Sequence, residues 1–182
     1  MKDLTIHFIL DKSGSMQSIW DDAIGGFNAF RSKQVSEPGR TLLSLTLFDN
    51  TVAEAHPALP IAEIADLTRA TYVPSGGTAL YDAIGSTIER AQGTEIAGVP
   101  LVVVLTDGLE NASRRFTRAS LAALISAKKL TGWEFLYLGT TPENWADAEA
   151  IGAAPMSFRA DAAGTAGAFA AAAQHAAAVR RK

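Results

Sequence analysis

The chain has 182 residues, 48% of them hydrophobic, and a formal charge of -3; this is the size of one ordinary domain with enough apolar residues for a full core, and it lacks the positive field that would draw in nucleic acid. The absence of cysteine excludes disulfides, thiolate metal sites and thiol nucleophiles, and fits an intracellular protein. Residues 1–10 carry Asp3 and His7 without a small-residue cleavage site, and no later run approaches membrane-spanning length. The expectation is therefore a soluble, cytoplasmic single domain over residues 1–182 with no membrane contact.

Residues 4–10 (LTIHFIL) are rich in β-branched and aromatic residues between polar flanks, which predicts a strand buried at least at its end, with His7 as a satisfied or half-exposed member. The strand ends abruptly in Asp11-Lys12-Ser13-Gly14-Ser15-Met16. Asp11, Ser13 and Ser15 put three small oxygen ligands on one tight turn, the donor type that hard cations such as Mg²⁺ favour. Acid and hydroxyls alone are also ordinary loop chemistry. Apolar residues near helical spacing over 20–33 (Trp20, Ala23, Ile24, Phe27, Phe30) predict an amphipathic helix just beyond the loop, with Asp21 and Asp22 suiting its dipole.

Residues 41–48 and 52–59 alternate on either side of Asp49-Asn50, which predicts an antiparallel hairpin whose second member is an edge strand interrupted by Pro57 and Pro60, with His56 exposed there. A short helix is expected over 61–67. The loop Pro74-Ser75-Gly76-Gly77-Thr78 follows, where two glycines let the backbone approach something closely before a helix over 80–91. Residues 100–106 (PLVVVLT) form a nearly continuous apolar run, the mark of a central parallel strand, and this too ends in an acid, Asp107. A helix over 117–130, a strand over 134–138, a short helix over 143–151, a weak strand over 155–158 and an Ala-rich helix over 161–179 complete the pattern. The pairs Arg114-Arg115 and Lys128-Lys129 and the tail Arg180-Arg181-Lys182 read as solvated surface. Strands alternating with helices imply a parallel sheet wrapped on both faces.

In an open sheet of this kind, ligands bind beyond the carboxyl ends of the strands where the strand order reverses. Asp11, Ser13 and Ser15 follow the first strand, Asp107 follows the most apolar one, and Thr78 lies in the loop that returns between them. All five can meet at one edge of the sheet. Here the sequence resembles the von Willebrand factor A (VWA) domains, whose metal-ion-dependent adhesion site uses a D-x-S-x-S loop, a distant Thr and a distant Asp. Asp11-Lys12-Ser13-Gly14-Ser15-Met16 is similar to the first element in the form common among bacterial members, Gly76-Gly77-Thr78 to the second and Thr106-Asp107-Gly108 to the third, and the chain looks like the bacterial stand-alone type.

The resemblance covers nearly the whole chain. It implies an α/β, Rossmann-like open sheet of about six mostly parallel strands with one antiparallel edge strand, and helices on both faces. It also implies metal ligation by Asp11, Ser13, Ser15, Thr78 and Asp107, some of them through water. Mg²⁺ is expected, with Mn²⁺ or Ca²⁺ as alternatives. Two carboxylates balance the ion's charge and three hydroxyls add no more, so an octahedral Mg²⁺ site of about six positions leaves one for the Asp or Glu of a protein partner. The implied function is metal-dependent protein binding without catalysis, in the manner of accessories to ATPases, chelatases or stress and defence systems, among which the residues do not choose.

Rival readings are weaker or untouched. A haloacid-dehalogenase-like phosphotransfer enzyme could cast Asp11, Thr106 and Lys128 in catalytic roles, but Ser13 stands where that family wants its second acid. No phosphate-binding glycine loop follows the first strand, and His7, His56 and His175 are badly placed for a serine hydrolase. A scaffold subunit holding a structural metal would present the same ligand residues. Around the loop, Glu110 and Asn111 read as solvated and Asp82 as serving the start of its helix or holding the Thr78 loop. Met16 could reach the rim, Trp20 reads as core, Trp133 and Trp145 as core or partly buried supports, and Lys12 as an exposed side chain.

Overall fold

The computed structural model describes residues 2–93 and 98–182. Six strands form one sheet: β1 (Leu4–Asp11), β2 (Thr41–Phe48), β3 (Val52–Pro60), β4 (Val99–Thr106), β5 (Glu134–Gly139) and β6 (Ala154–Ser157). Their spatial order is β3-β2-β1-β4-β5-β6. All neighbours are parallel except β3, which runs antiparallel to β2 at the edge. The predicted architecture is thus the observed one. From β1 the chain builds outward to β2 and β3, then returns to the other side of β1 for β4, so the strand order reverses between β1 and β4 and opens a crevice at their carboxyl ends.

The alternation of β1 divides the protein into two apolar layers. Leu4, Ile6, Phe8 and Leu10 face α1 (Trp20–Val35) and α5 (Ala162–Arg181), where Phe8 packs with Phe27, Phe30 and Phe169 at ring-centroid distances of 5.4, 5.1 and 5.8 Å. Ile9, with Val102 and Val104 of β4, faces α2 (Leu80–Ala91), α3 (Arg118–Leu130) and α4 (Pro142–Ala150). Local sequence starts several of these helices. Thr117 with Ser120 and Thr141 with Asn144 form reciprocal capping boxes, and Asp161 accepts from the Gly164 amide at 2.7 Å.

Four expectations need correction. The helix over 61–67 shrinks to a single 3-10 turn at Ile61–Glu63, because Leu67 instead takes both its backbone bonds from the Asn28 amide, at 2.8 and 2.9 Å. The glycine-bearing loop after β1 does not open straight into α1 but passes through a 3-10 segment, Gly14–Ile19, that buries Met16 in the core. His56 is half-buried rather than exposed.

Arg180, expected in the solvated tail, is 1% exposed. Its guanidinium donates to Gln34 of α1 and Thr41 of β2, while its carbonyl accepts from the Lys2 amide at 3.0 Å. The signal was in the spacing: Ala168, Ala172, Ala176 and Arg180 form one buried row at intervals of four along α5. His7 is buried and only half satisfied: Nδ1 bonds to Ser44 Oγ at 2.8 Å and the ring stacks on Trp133, while the buried Nε2 has no partner among the described residues.

Candidate functional site

Parallel register builds the floor of the crevice. Leu10 of β1 lies opposite Leu105 of β4, so the next residues, Asp11 and Thr106, emerge side by side on the face away from α1. The Thr106 hydroxyl donates to Asp11 Oδ2 at 2.5 Å, and the Ser13 amide donates to Oδ1 at 2.6 Å. The buried Tyr72 hydroxyl donates to the Asp11 carbonyl at 2.5 Å. The Asp11 carboxylate is thereby fixed in position before anything binds to it.

The other four predicted residues converge on it. Ser13 Oγ and Ser15 Oγ lie 3.2 Å apart, and Ser15 Oγ donates to Asp107 Oδ1 at 2.6 Å. A Cβ at Gly108 would sit 3.0 Å from Thr78 Oγ1 and 3.6 Å from Asp11 Oδ2, which places those two oxygens over the same point. Asp11, Ser13, Ser15, Thr78 and Asp107 therefore share one spot at the carboxyl ends of β1 and β4. Among the described residues no three His, Cys, Asp or Glu side chains gather to hold a metal, so any ion here would depend on hydroxyls as well as the two carboxylates.

The electrostatics of the spot are those of negative charge without a counter-charge. Burial pushes the Asp11 carboxyl up to about 6, outweighing the hydrogen bonds from Thr106 and Ser13, and the charge of Asp107 adds to the rise. Asp107 is also raised, chiefly by burial. Neither carboxylate has a cationic partner among the described residues. The nearest loop cation, Lys12, is not the exposed residue expected from sequence: it is half-buried and paired with Asp49. Asp49 in turn accepts from Ser75 Oγ at 3.0 Å and from the Thr51 amide at 2.8 Å, and its carboxyl is lowered to about 2 although burial opposes this.

The loop carrying Thr78 is held from both sides. Gly14 donates to the Gly76 carbonyl at 3.0 Å and Ser75 to the Lys12 carbonyl at 2.8 Å, which stitches it to the Asp11 loop. Asn50 Oδ1 accepts from the Gly77 amide at 2.7 Å and Asn111 Oδ1 from the Thr78 amide at 2.8 Å. A Cβ at Gly77 would stand 2.6 and 2.7 Å from those two oxygens, and Gly76 has a φ of +67°. Side-chain amides are thus what the two glycines approach closely.

Sequence reasoning left several of these roles unassigned. Asn111 and Glu110, read as solvated, are structural: the Glu110 carboxylate accepts from the amides of Tyr81, Ala112 and Ser113 at 2.9, 2.9 and 2.7 Å. Asp82 does not hold the Thr78 loop; it accepts from the amides of Arg114, Arg115 and Phe116 at 2.8, 2.9 and 2.8 Å. Thr106, Tyr72 and Asp49 were not singled out as supports. Only Thr106 carried a signal, its position beside Asp107 at the end of β4. Trp20 is half-buried with its Nε1 donating to the Tyr72 carbonyl at 2.6 Å, and Trp145 donates to the Gly139 carbonyl at 2.9 Å. Lys128 lies over the Trp133 ring, well occupied away from Asp11.

Comparison with known proteins bears on this geometry. A family model described as "VWA domain containing CoxE-like protein" matches residues 1–180. None of the curated proteins matches the chain. Among solved structures, a mutant of the PilB minor pilin from Streptococcus sanguinis is similar with a TM-score of 0.74 at 14% identity, over 96% of this chain and 61% of that one. A von Willebrand factor type A protein from Catenulispora acidiphila gives 0.68 at 18%, over 94% and 42%. An aerotolerance-related membrane protein from Bacteroides fragilis gives 0.60 at 16%, over 96% and 99%. The chain thus spans about three fifths of the pilin and less than half of the Catenulispora protein. At such identities the likeness is one of fold.

Proposed function

The chain belongs to the VWA-domain family of CoxE-like proteins, whose domains generally mediate protein interactions, and from that premise we propose that it is a divalent-metal-dependent protein-binding module of the bacterial type and not an enzyme. In this reading Asp11, Ser13, Ser15, Thr78 and Asp107 hold the ion, Mg²⁺ first and Mn²⁺ or Ca²⁺ as alternatives. The partner is a protein presenting an Asp or Glu. The ion supplies an electrophilic position that a partner carboxylate fills, while the protein keeps the oxygen donors in place.

The observation that carries the proposal is the convergence of two buried-side carboxylates and three hydroxyls with no cationic side chain among the described residues to balance them. Two acids forced together in a partly buried place lose stability unless a positive charge joins them. The donor set is all oxygen, which suits a hard cation and not a thiolate- or imidazole-seeking one. Supporting the non-catalytic reading, His7 is engaged by Ser44 and Trp133, and Lys128 by Trp133. That leaves the haloacid-dehalogenase cast without its charge stabiliser.

Isothermal titration of Mg²⁺ and Mn²⁺ into metal-stripped protein tests the reading, with Asp11→Ala alongside. The expected result is saturable one-site binding that the variant loses while its circular dichroism stays native. Absence of binding in the intact protein would count against the metal site and leave a scaffold role in its place.

A further inference from the structure

Next to the Thr78 loop lies a hollow of about 440 Å³ lined by Asn50, Asn111, Ala112, Ser113 and Arg114. Its chemistry is one-sided. Both asparagines have Oδ1 committed inward, to the amides of Gly77 and Thr78. Because a backbone N–H can only donate, this fixes which end of each side-chain amide is oxygen. Neither Nδ2 group has an acceptor among the described residues, so each keeps its N–H donors for something outside the chain.

Arg114 extends the same bias. Its backbone is anchored to Asp82, yet its exposed guanidinium has no partner among the described residues. Its neighbour Arg115 is paired with Glu89 at 2.8 Å. The neighbouring acids hold backbone amides and do not pair with the Arg114 guanidinium. Glu110 is taken by three backbone amides and by the Ser113 hydroxyl at 2.7 Å. Asp82 is taken by the amides of residues 114–116. What faces outward is two amide NH₂ groups and a guanidinium, with the Ala112 methyl as a wall and the Ser113 hydroxyl already engaged.

We infer that this hollow is a second anchor for the partner, taking an acidic side chain of the same segment whose carboxylate is proposed to meet the ion; the inference rests on the metal-dependent reading for the first anchor only. The Asn111 side chain joins the two places physically, since its oxygen holds the Thr78 amide while its NH₂ is left for the hollow. A planar guanidinium beside amide donors matches a carboxylate, which accepts through two oxygens. The partner is therefore an acidic peptide segment with at least two carboxylates. A nucleic acid backbone would also offer acceptors, but the chain's net charge of -3 and the two acids at the neighbouring cluster disfavour a polyanion with regularly spaced charges.

The test is fluorescence anisotropy with two labelled Gly/Ser-based peptides, one carrying a single Glu and one carrying two Glu a few residues apart, in Mg²⁺ and in EDTA. Native protein is compared with Arg114→Glu, and Mg²⁺ titration of both reports on the metal site separately. The expected result is that native protein in Mg²⁺ binds the two-Glu peptide at least tenfold more tightly than the one-Glu peptide. Arg114→Glu should remove that difference while its Mg²⁺ affinity stays within twofold of native. Equal binding of the two-Glu peptide by native and variant protein would overturn the anchor, as would preference for a single-stranded oligonucleotide over both peptides or failure of native protein to bind the two-Glu peptide at all. Arg114-dependent binding of the two-Glu peptide that is the same in EDTA would sustain the anchor and overturn the metal-dependent reading instead.

Discussion

The environments of Asp11 and His7 set two opposed pH responses on the same strand. Burial, with a smaller contribution from the charge of Arg90, lowers His7 to about 4 from 6.5. Below pH 6.5 the unfolded chain takes up a proton that the folded one refuses, so the His7 contribution to stability is lost as pH falls from 6.5 towards 4. Asp11 works the other way: its carboxyl, raised to about 6, keeps a proton that the unfolded chain releases, and its penalty grows as pH rises through the window from 3.8 to 6. The His7 share is isolated by difference. In urea denaturation at pH 4.5 and pH 7, His7→Phe should lose markedly less stability on acidification than native protein, the gap being on the order of 2–3 kcal/mol. Parallel pH profiles for the two proteins would show that His7 is not held neutral by its burial.

At the scale of elements, the packing of α1 on α5 depends on one of two adjacent glycines. A Cβ at Gly26 would meet the Phe169 ring at 2.1 Å, whereas a Cβ at Gly25 would meet nothing within 4 Å. The ring of Phe169 belongs to the aromatic cluster around Phe8, so it cannot move aside without disturbing the centre of that layer. Gly26→Ala is expected to destabilise by about 1–3 kcal/mol through overpacking. Gly25→Ala should stabilise by up to about 1 kcal/mol, because alanine restricts the unfolded chain and suits a helix interior. Denaturant midpoints of the two variants with unchanged slopes check the contrast, and similar midpoints would mean that α5 shifts to accommodate the methyl group.

For the whole molecule, the proposed ion would join the two halves of the sheet. Asp11, Ser13 and Ser15 follow β1, while Asp107 follows β4, and the loop bearing Thr78 crosses between them. Binding to the folded state alone should therefore stabilise the entire domain. At about a hundred times the dissociation constant, Mg²⁺ is expected to add about 2.7 kcal/mol. The melting temperature of metal-stripped protein should rise with Mg²⁺ concentration, more at pH 7 than at pH 5, where Asp11 is protonated in the folded state. Asp11→Ala should melt at the same temperature with and without the ion. A rise that survives in that variant would locate the stabilising ion elsewhere.

What the amino-acid order determined by itself was whatever depends on short-range pattern. Short apolar or alternating runs specified the strands, their separation by helices specified a parallel sheet, and the hairpin at Asp49-Asn50 specified the one antiparallel edge. The acids and hydroxyls at strand ends could be read because such loops must lie at one end of such a sheet. Tertiary structure decided the supports, since these join residues far apart in the chain whose local context is bland. Asn111 holding the Thr78 amide, Glu110 holding the Tyr81 amide and Lys12 turning to Asp49 all span long separations in the chain. The same holds for Arg180, whose terminal position suggested solvent until the buried row of α5 carried it beneath α1 and β2. A loop side chain becomes a strut only when the backbone amides it can satisfy are brought to it, and where those amides lie is fixed by the packing of the whole sheet.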